Sequence, residues 1–261
     1  MKNLARLIIE NKRVKNLENN QLKLSKEESH YLNKVMRIKI GEEILITNGE
    51  GYLWKGIKNT NNLIDIPNIN KPILVQDKKN IFLGIAVAIP KNGFEDILKM
   101  CTEIGIDFIQ PLYSEYQIKR ISNKTLKMDR WNTIINEAVE QCERLWKPKL
   151  LNILDICEWI IDCKPKDIVS ISLTRNENCI SLNEWLKMQN LPVQGSTVMW
   201  NVIGPEGGWS TRELCFFREK KIQFIKLSES ILRTSTASVT ASSILSQWRS
   251  FEIESTYSKK L

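Results

Sequence analysis

The stretch "NVIGPEGGWS", residues 201–210, decides the fold of the second half of the chain. An apolar run, Val198 to Ile203, is followed within five positions by three glycines, a proline and one carboxylate. A buried strand that ends in a glycine-rich turn can bring backbone groups against a ligand. Ser210 and Glu213 form the pattern S-x-x-E, which predicts a capping box at the start of a helix. The stretch is therefore predicted to run as a strand, a glycine loop and a capped helix.

The residues alone leave three interpretations of this glycine loop. It is a tight connection, a phosphate loop, or a loop whose backbone recognises a small ligand. The phosphate-loop pattern G-x-x-x-x-G-K-[ST] and the dinucleotide pattern G-x-G-x-x-G do not occur in it. Glu206 would repel an anionic ligand, so the carboxylate suits a ligand that carries positive charge.

A second polar segment, "LSESILRTSTASVTAS" (227–242), follows the next predicted strand. Arg233 precedes a run of hydroxyl-bearing residues that can cap a final helix over about 235 to 250. Since the carboxyl ends of parallel strands meet at one edge of a sheet, both loops are expected to open on the same edge.

Strands and helices alternate from Ile81 onward. Continuous apolar runs predict strands, and apolar residues spaced three and four apart predict helices. The predicted strands cover 81–89, 108–112, 167–173, 197–203 and 222–227. The predicted helices cover 94–105, 131–146, 182–188, 211–220 and 235–250. This alternation predicts an α/β fold with a mostly parallel sheet.

The first part of the chain, to about residue 75, is predicted to form short strands. Two apolar runs flank Asn48-Gly49, a strong hairpin signal, and a small β-barrel is compatible with them. The polar, proline-containing segment 65–80 marks a boundary between the two parts.

Composition limits the class of protein. The 261 residues carry a net charge of +8, and residues 1–40 hold ten Lys/Arg against four Glu. This local excess fits either a polyanion such as RNA or a solvated basic surface. No apolar run has the roughly 20 residues that a membrane span requires, and the start of the chain lacks the features of a signal peptide. The six cysteines form no C-x-x-C pair and there is one histidine, so a zinc site is not expected. The cysteines are expected to be reduced thiols of a cytosolic protein.

The two C-terminal loop segments carry a resemblance to a known family. "VIGPEGGWS" followed by "KLSESILRTSTA" resembles the RsmE family of 16S rRNA uridine-N3 methyltransferases, within the SPOUT superfamily. Residues 30–51, "TEIG" (102–105) and "EQCER" (140–144) are similar to further segments of that family in the same order. The chain departs from the family pattern at Ser235, Glu143 and Met100.

The resemblance implies two domains, a fold and a substrate. Residues 1–75 would be a PUA-like RNA-binding β-barrel, and residues 76–261 a SPOUT methyltransferase domain with a C-terminal trefoil knot. S-adenosyl-L-methionine would bind in the knot loops of a cytoplasmic homodimer that needs no metal and no membrane. The substrate would be 16S rRNA, within the small ribosomal subunit. Two alternatives are a catalytically silent RNA-binding factor in ribosome assembly and a SPOUT enzyme that acts on tRNA.

The resemblance also implies site residues. Arg233 would stabilise negative charge on the base or hold a phosphate, and Glu206 would accept a proton or balance the sulfonium. As alternatives, Arg233 forms a surface ion pair and Glu206 is a carboxylate at a helix start. The cofactor contacts would be Leu173, Ile203, Gly204, Pro205, Glu206, Gly207, Gly208, Leu227, Ser228, Ile231, Leu232, Thr234, Thr236 and Ala237. The RNA contacts would be Arg6, His30, Lys34, Arg37, Gln141 and Arg144.

The predicted helix 131–146 places Glu137, Gln141 and Arg144 at i, i+4 and i+7, on one face. That face binds RNA in one interpretation and is simply solvated in the other. Lys34 and Arg37 share a helical spacing only if their segment is a helix.

Overall fold

The computed structural model describes residues 4–17, 19–117, 123–163, 167–173, 179–189 and 196–258. The chain divides into two compact units. The first comprises Met1–Lys78 together with Asn136–Lys147, and the second comprises Lys79–Ile135 and Pro148–Leu261. The sequence pattern gives no sign that the segment 136–147 belongs with the first unit, because its apolar spacing continues that of the preceding residues.

The first unit is built on a six-stranded sheet in the order β1-β3-β4-β5-β2, with β6 paired to β4. Its strands are β1 (Arg6–Ile8), β2 (Gln21–Lys23), β3 (Glu43–Thr47), β4 (Tyr52–Lys58), β5 (Leu63–Asp65) and β6 (Leu74–Val75). Strands β3 and β4 pair antiparallel across the turn that contains Asn48 and Gly49, so the predicted hairpin is confirmed. Two short helices, α1 (Asn11–Lys15) and α2 (Lys26–His30), lie between the strands, and a π-helical turn, Tyr31–Val35, continues α2.

One apolar cluster holds the first unit together. Ile44 and Ile46 of β3, Ile64 of β5, Trp54 of β4 and Leu32 of the π-helical turn lie in it and are almost inaccessible to water. Period-two alternation puts these side chains on one face of the sheet. The cluster consists of Ala5, Leu7, Ile9, Val14, Leu22, Leu24, Leu32, Ile44, Ile46, Trp54, Ile64 and Ile66.

The second unit is an α/β layer around an eight-stranded sheet. Its strands are β7 (Ile81–Ala88), β8 (Phe108–Tyr113), β9 (Lys149–Leu150), β10 (Leu154–Asp155), β11 (Ile168–Ser172), β12 (Ile180–Ser181), β13 (Thr197–Ile203) and β14 (Gln223–Lys226). The helices from α3 onward are α3 (Phe94–Ile104), α4 (Lys124–Gln141), α5 (Ile156–Asp162), α6 (Leu182–Lys187), α7 (Thr211–Glu219) and α8 (Thr234–Ser258). The first part of α4 lies in this unit and its last residues in the other.

The strand order of this sheet is β10-β8-β7-β13-β11-β14-β12, with β9 beside β8. The pairs along that order are parallel, so the predicted parallel α/β sheet is confirmed. From β7 the chain crosses to β8 on one side, and from β13 it crosses to β14 on the other. Adjacent strands whose crossovers leave in opposite directions open a crevice at their carboxyl ends, where ligands bind in open α/β sheets.

Two predicted helices differ from the structure. Helix α4 starts at Lys124 and ends at Gln141, so the predicted helix 131–146 was wrong at both ends. Glu143 adopts a left-handed conformation with φ 61°, which ends the helical path. Arg144 therefore does not share a helical face with Glu137 and Gln141, and that prediction was wrong. Helix α8 starts at Thr234 and runs beyond the predicted end at about residue 250.

Helix α8 is anchored to the sheet by a buried ion pair. Arg249, of which 3% is exposed, pairs with the carboxylate of Asp107 and donates a 2.9 Å hydrogen bond to the carbonyl oxygen of Gly105. Asp107 also accepts a 2.9 Å hydrogen bond from the backbone N–H of Leu83 in β7. Over the described residues, no helix combines the length and apolarity that crossing a membrane would take.

Candidate functional site

The glycine loop leaves the carboxyl end of β13 and enters α7. Ser210 is the N-cap residue, and its hydroxyl accepts a 3.0 Å hydrogen bond from the N–H of Glu213. The Glu213 carboxylate in turn accepts a 2.7 Å hydrogen bond from the N–H of Ser210. The predicted capping box is confirmed, and it fixes the direction in which the loop joins the helix.

Different constraints favour glycine at the three glycine positions of the loop. A Cβ at Gly204 would lie 3.0 Å from the ring of Trp209, and a Cβ at Gly207 would lie 3.3 Å from the Cβ of Tyr116. Gly208 has a φ of +73°, and a Cβ there would meet nothing within 4 Å. The backbone at Gly208 therefore borders open space, as expected where a ligand contacts main-chain atoms.

A second loop lies beside the glycine loop. β11 pairs with both β13 and β14, so the carboxyl ends of the three strands lie side by side. The segment after β14 runs through Leu227 to Arg233, and α8 begins at Thr234. The Thr234 hydroxyl donates a 3.1 Å hydrogen bond to the carbonyl oxygen of Gly204. The prediction that both loops open on one edge is confirmed, and a hydrogen bond joins them.

Two of the hydroxyls predicted to cap the final helix make other hydrogen bonds. The Thr234 hydroxyl binds the glycine loop, and the Ser238 hydroxyl donates a 2.8 Å hydrogen bond back to the Thr234 carbonyl oxygen. The Thr234 hydroxyl thus joins the two loops, and the Ser238 hydroxyl forms a hydrogen bond within α8.

Three chemically distinct side chains are exposed around the joined loops. Glu206 is exposed, and its Oε1 accepts a 3.2 Å hydrogen bond from the backbone N–H of Lys91. Ile231 keeps 59% of its surface exposed, although it is aliphatic, and Arg233 is exposed as well. A carboxylate, an aliphatic surface and a guanidinium, next to open glycine backbone, fit a ligand with a cationic centre and an apolar part.

A third loop, which sequence reasoning missed, borders the glycine loop from the other side. It is the turn Ser114–Gln117 after β8, closed by a 3.2 Å hydrogen bond from the N–H of Gln117 to the Ser114 carbonyl oxygen. The N–H of Glu115 donates a 3.0 Å hydrogen bond to Glu213, a carboxylate residue of which 1% is exposed. The sequence did contain a signal for this loop, because polar residues follow β8 at the same sheet edge as the glycine loop.

The remaining predicted cofactor residues lie along these loops. Ile203 and Pro205 are buried, while Leu227 and Leu232 are half-buried and Ser228 is exposed. In the first turn of α8, Thr236 is exposed and Ala237 is buried. Leu173 follows β11 and donates its N–H to the Ile225 carbonyl oxygen at 3.0 Å; residues 174–178 lie outside the described residues.

A pocket lined mainly by polar residue types lies on the first unit, where RNA contacts were predicted. It has a volume of about 290 Å³, and its lining includes Lys26, His30 and Lys34 but no Asp or Glu. The Nδ2 of Asn33 donates a 2.9 Å hydrogen bond to the Ser29 hydroxyl, which donates a 3.0 Å hydrogen bond to Oδ1 of Asn62. These bonded polar groups and the basic side chains suit a ligand that is anionic and rich in hydrogen-bonding atoms.

The other predicted RNA contacts have mixed surroundings. Arg37 is exposed and has a φ of 54°, outside the helical spacing considered for Lys34 and Arg37. Arg6 is buried, and its guanidinium donates to the carbonyl oxygen of Glu143 at 2.6 Å. Gln141 is the exposed last residue of α4, and Arg144 is half-buried beyond it.

Glu140, also within "EQCER", lies in an unusual electrostatic environment. Burial raises the pKa of its carboxyl to about 7, against the effect of the 2.9 Å hydrogen bond from the N–H of Ile8. The charges of Glu137 and Glu28 raise it further. In the described part of the chain, no group of three or more His, Cys, Asp or Glu side chains is arranged to hold a metal ion.

Family models match both parts of the chain. The model of an RNA methyltransferase domain matches residues 77–246, and that of an RNA methyltransferase PUA domain matches residues 24–57. The class that the parallel sheet, the joined loops and these models define is the RNA methyltransferases.

Curated relatives and solved structures narrow this class. The "Ribosomal RNA small subunit methyltransferase E" of Synechocystis is 30% identical over 220 residues, which cover 84% of this chain and 70% of the relative. The protein of the same name from Buchnera aphidicola of Acyrthosiphon pisum is 32% identical over 231 residues, 84% of each chain. The chain belongs to the ribosomal RNA small subunit methyltransferase E (RsmE) family.

A crystal structure of the family member from Neisseria gonorrhoeae, bound to S-adenosyl methionine, has the same fold. The TM-score is 0.75 at 23% sequence identity, and the match covers 94% of this chain and 97% of that one.

Proposed function

We propose that this protein transfers a methyl group from S-adenosyl-L-methionine to N3 of a uridine in 16S rRNA of the small ribosomal subunit. The observation that carries the proposal is the 3.1 Å hydrogen bond between Thr234 and Gly204, which joins two ligand-accessible loops in a chain of the RsmE family. Cytoplasmic location follows from that substrate.

The residues present fit the cofactor. Open backbone at Gly208, exposed aliphatic surface at Ile231 and an exposed carboxylate at Glu206 complement a glycine-contacting, partly apolar and cationic molecule. The backbone of Gly204, Gly207 and Gly208 holds it, together with the side chains of Leu227, Ser228, Ile231 and Leu232. When bound, S-adenosyl-L-methionine supplies a methyl group on a positively charged sulfonium.

The chain's own residues handle the proton and the charge on the base. N3 of uridine carries a proton at neutral pH, so that proton must leave before the nitrogen lone pair can react. The Glu206 carboxylate accepts it. Negative charge then spreads over the uracil ring, and the guanidinium of Arg233 stabilises it by charge-assisted hydrogen bonds.

The first unit contributes affinity for the RNA. His30 and Lys34, which line the pocket, and the exposed Arg37 contact phosphates; the contacts proposed for Arg6, Gln141 and Arg144 stay predictions. Because phosphate contacts release counterions, affinity for the RNA falls steeply as salt rises. Substitution of Lys34 by Ala would then reduce the slope of log affinity against log salt by about 0.7 to 0.9. An unchanged slope would show that Lys34 does not contact a phosphate of the RNA.

Three structural features of the family extend the proposal. They are closure of the first sheet into a PUA-like barrel, a trefoil knot formed by the loops of residues 204–238, and a homodimer. The adjacency of β13, β11 and β14 supports the knot. Sedimentation of the purified protein at the mass of a single chain would refute the homodimer, and a crystal structure that traces the loops without a knot would refute the knot.

Nucleoside mass spectrometry of rRNA from a deletion strain tests the proposed function. Loss of 3-methyluridine from 16S rRNA, with restoration by the wild-type gene, is expected. Unchanged 16S rRNA would refute it: a methyl group lost from tRNA instead identifies a tRNA enzyme, and no loss anywhere leaves a silent assembly factor.

A further inference from the structure

An exposed aromatic side chain, Tyr116, stands beside the glycine loop without a role in the site described so far. It keeps 52% of its surface exposed, whereas Tyr113, the last residue of β8, is 5% exposed. Its Cβ lies 3.3 Å from the position that a Cβ of Gly207 would take, and its Cδ2 and Cγ lie at 3.8 and 3.9 Å. The ring therefore packs against the loop on one side and meets solvent on the other.

The position of Tyr116 across the sheet separates it from the second loop. The relevant strand order is β8-β7-β13-β11-β14, and Tyr116 follows β8 whereas Ile231 and Arg233 follow β14. Neighbouring strands lie about 4.8 Å apart, so β8 and β14 end about 10 Å from β13 in opposite directions. The glycine loop after β13 lies between them. A ligand held between the glycine loop and the loop after β14 leaves the Tyr116 side of Gly207 open to a second molecule.

Hydrogen bonds hold the turn that carries Tyr116. The turn that carries it is closed by the hydrogen bond from Gln117 to Ser114, and the N–H of Glu115 donates to the buried carboxylate of Glu213. Glu213 also caps the helix that follows the glycine loop. One buried carboxylate thus fixes the Tyr116 turn and the glycine loop with respect to each other, so the backbone that carries the ring is in place before any ligand arrives.

A basic side chain contacts the turn that carries Tyr116. Arg212 is almost fully exposed and is 3.5 Å from the carboxylate of Glu115, next to Tyr116 in the chain. An exposed aromatic ring on a fixed turn, with a basic side chain next to that turn, is the arrangement by which proteins stack an unpaired base and hold its phosphate.

We propose that Tyr116 is the residue on which the target uridine stacks, which orients the base for reaction at the glycine loop. This inference rests on the proposed function and adds a positioning residue to it. The uracil ring lies on the exposed face of Tyr116, and the phosphate of the same nucleotide lies towards Arg212. Because stacking uses the π-face and not the hydroxyl, phenylalanine and tryptophan replace tyrosine, whereas an aliphatic side chain of similar reach does not.

The test is a comparison of four variants: Tyr116→Phe, Tyr116→Trp, Tyr116→Leu and Tyr116→Ala. Steady-state methyl transfer from radiolabelled S-adenosylmethionine to small ribosomal subunits purified from a deletion strain gives kcat and KM. Calorimetric titration with S-adenosylmethionine alone gives the affinity for the donor. Phe251→Leu, which alters another exposed aromatic residue of the same unit, serves as the matched control.

Phenylalanine and tryptophan at position 116 are expected to keep kcat/KM for the RNA within about threefold of wild type. Leucine and alanine are expected to lower it by about 10-fold to 100-fold, the size of one base–aromatic stack, with donor affinity unchanged. Equal activity of Tyr116→Leu and Tyr116→Phe would overturn the inference alone. Loss of donor affinity in Tyr116→Leu would overturn it too, because the ring would then belong to the donor pocket. If wild type transfers no methyl group, the proposed function fails and the inference with it.

Discussion

The hydroxyl of Thr234 and the carbonyl oxygen of Gly204 are 3.1 Å apart and share a hydrogen bond, although the two residues lie 30 positions apart in sequence. Thr234 is the first residue of helix α8, and Gly204 is the first residue after strand β13. The bond joins the loops that follow β13 and β14. Since 5% of Thr234 is exposed, water has little access to replace the bond if it is lost.

Substitution of Thr234 by valine tests this bond, since the shape is kept and the hydroxyl is removed. The Gly204 carbonyl oxygen loses its partner, which is expected to lower the free energy of unfolding by about 1 to 2 kcal/mol. Affinity for S-adenosylmethionine, measured by calorimetry, should fall by about 5-fold to 10-fold because the two loops are no longer joined. Thr234→Ser keeps the hydroxyl and should behave as wild type; a serine variant as weak as the valine variant would show that the bond is not the cause.

The buried ion pair between Arg249 and Asp107 should stabilise the second unit strongly. Arg249→Met removes the cation, so the Asp107 carboxylate, of which 13% is exposed, loses this ion pair, at an expected cost of about 3 to 5 kcal/mol in urea unfolding. The exposed pair of Lys55 and Glu43, with 44% and 46% of the side chains exposed, provides the control. Lys55→Met should cost about 1 kcal/mol or less, and equal costs at the two sites would contradict this account.

The raised pKa of Glu140 should make the stability of the protein depend on pH. Burial raises the pKa of its carboxyl to about 7 in the folded protein, above the value of an exposed glutamate. The folded state therefore keeps a proton that the unfolded state has lost, and this contribution to stability is complete below about pH 4.3 and is lost as pH rises towards 7. Over that range the free energy of unfolding should fall by up to about 3 kcal/mol relative to Glu140→Gln. The glutamine variant keeps an oxygen to accept the Ile8 N–H, so parallel pH profiles of the two proteins would refute the assignment.

Glu143 is predicted to be a site where glycine stabilises the protein. Its φ of 61° is unfavourable for a residue with a Cβ. Its carboxylate forms an ion pair with Arg6 at 3.2 Å, but 62% of the Glu143 side chain is exposed, so the pair contributes little. Glu143→Gly should raise the free energy of unfolding by about 0.5 to 1 kcal/mol, while Glu143→Ala should lower it slightly. A glycine variant less stable than wild type would mean that the Arg6 contact outweighs the backbone strain.

Much of the second unit could be predicted from sequence because strong local signals agree there. The run 197–203 predicted β13 at its observed bounds, and Ser210 with Glu213 predicted a capping box that the structure contains. Periodicity also placed α3 and α7 correctly to within a residue or two. These elements depend on interactions between residues that are close in the chain, and so the sequence pattern predicts them.

Other features could not be predicted because they depend on contacts between distant residues. The end of α4 is set by the left-handed Glu143, and nothing in its side chain marks it as a helix terminator. The tie from Thr234 to Gly204 uses a hydroxyl that local rules assign to capping. Tyr116 borders Gly207 only because β7 brings the ends of β8 and β13 together, a pairing that the sequence does not state.

Transfer of the methyl group by purified protein is the most direct measurement of the central claim. Small ribosomal subunits from a deletion strain would be incubated with S-adenosylmethionine and wild-type protein or Arg233→Ala, and 16S rRNA nucleosides would be analysed by mass spectrometry. The account predicts 3-methyluridine at one position with wild type, and turnover reduced by about 100-fold to 1,000-fold in Arg233→Ala with donor affinity intact. Absence of 3-methyluridine with wild type, or undiminished transfer by Arg233→Ala, would contradict it.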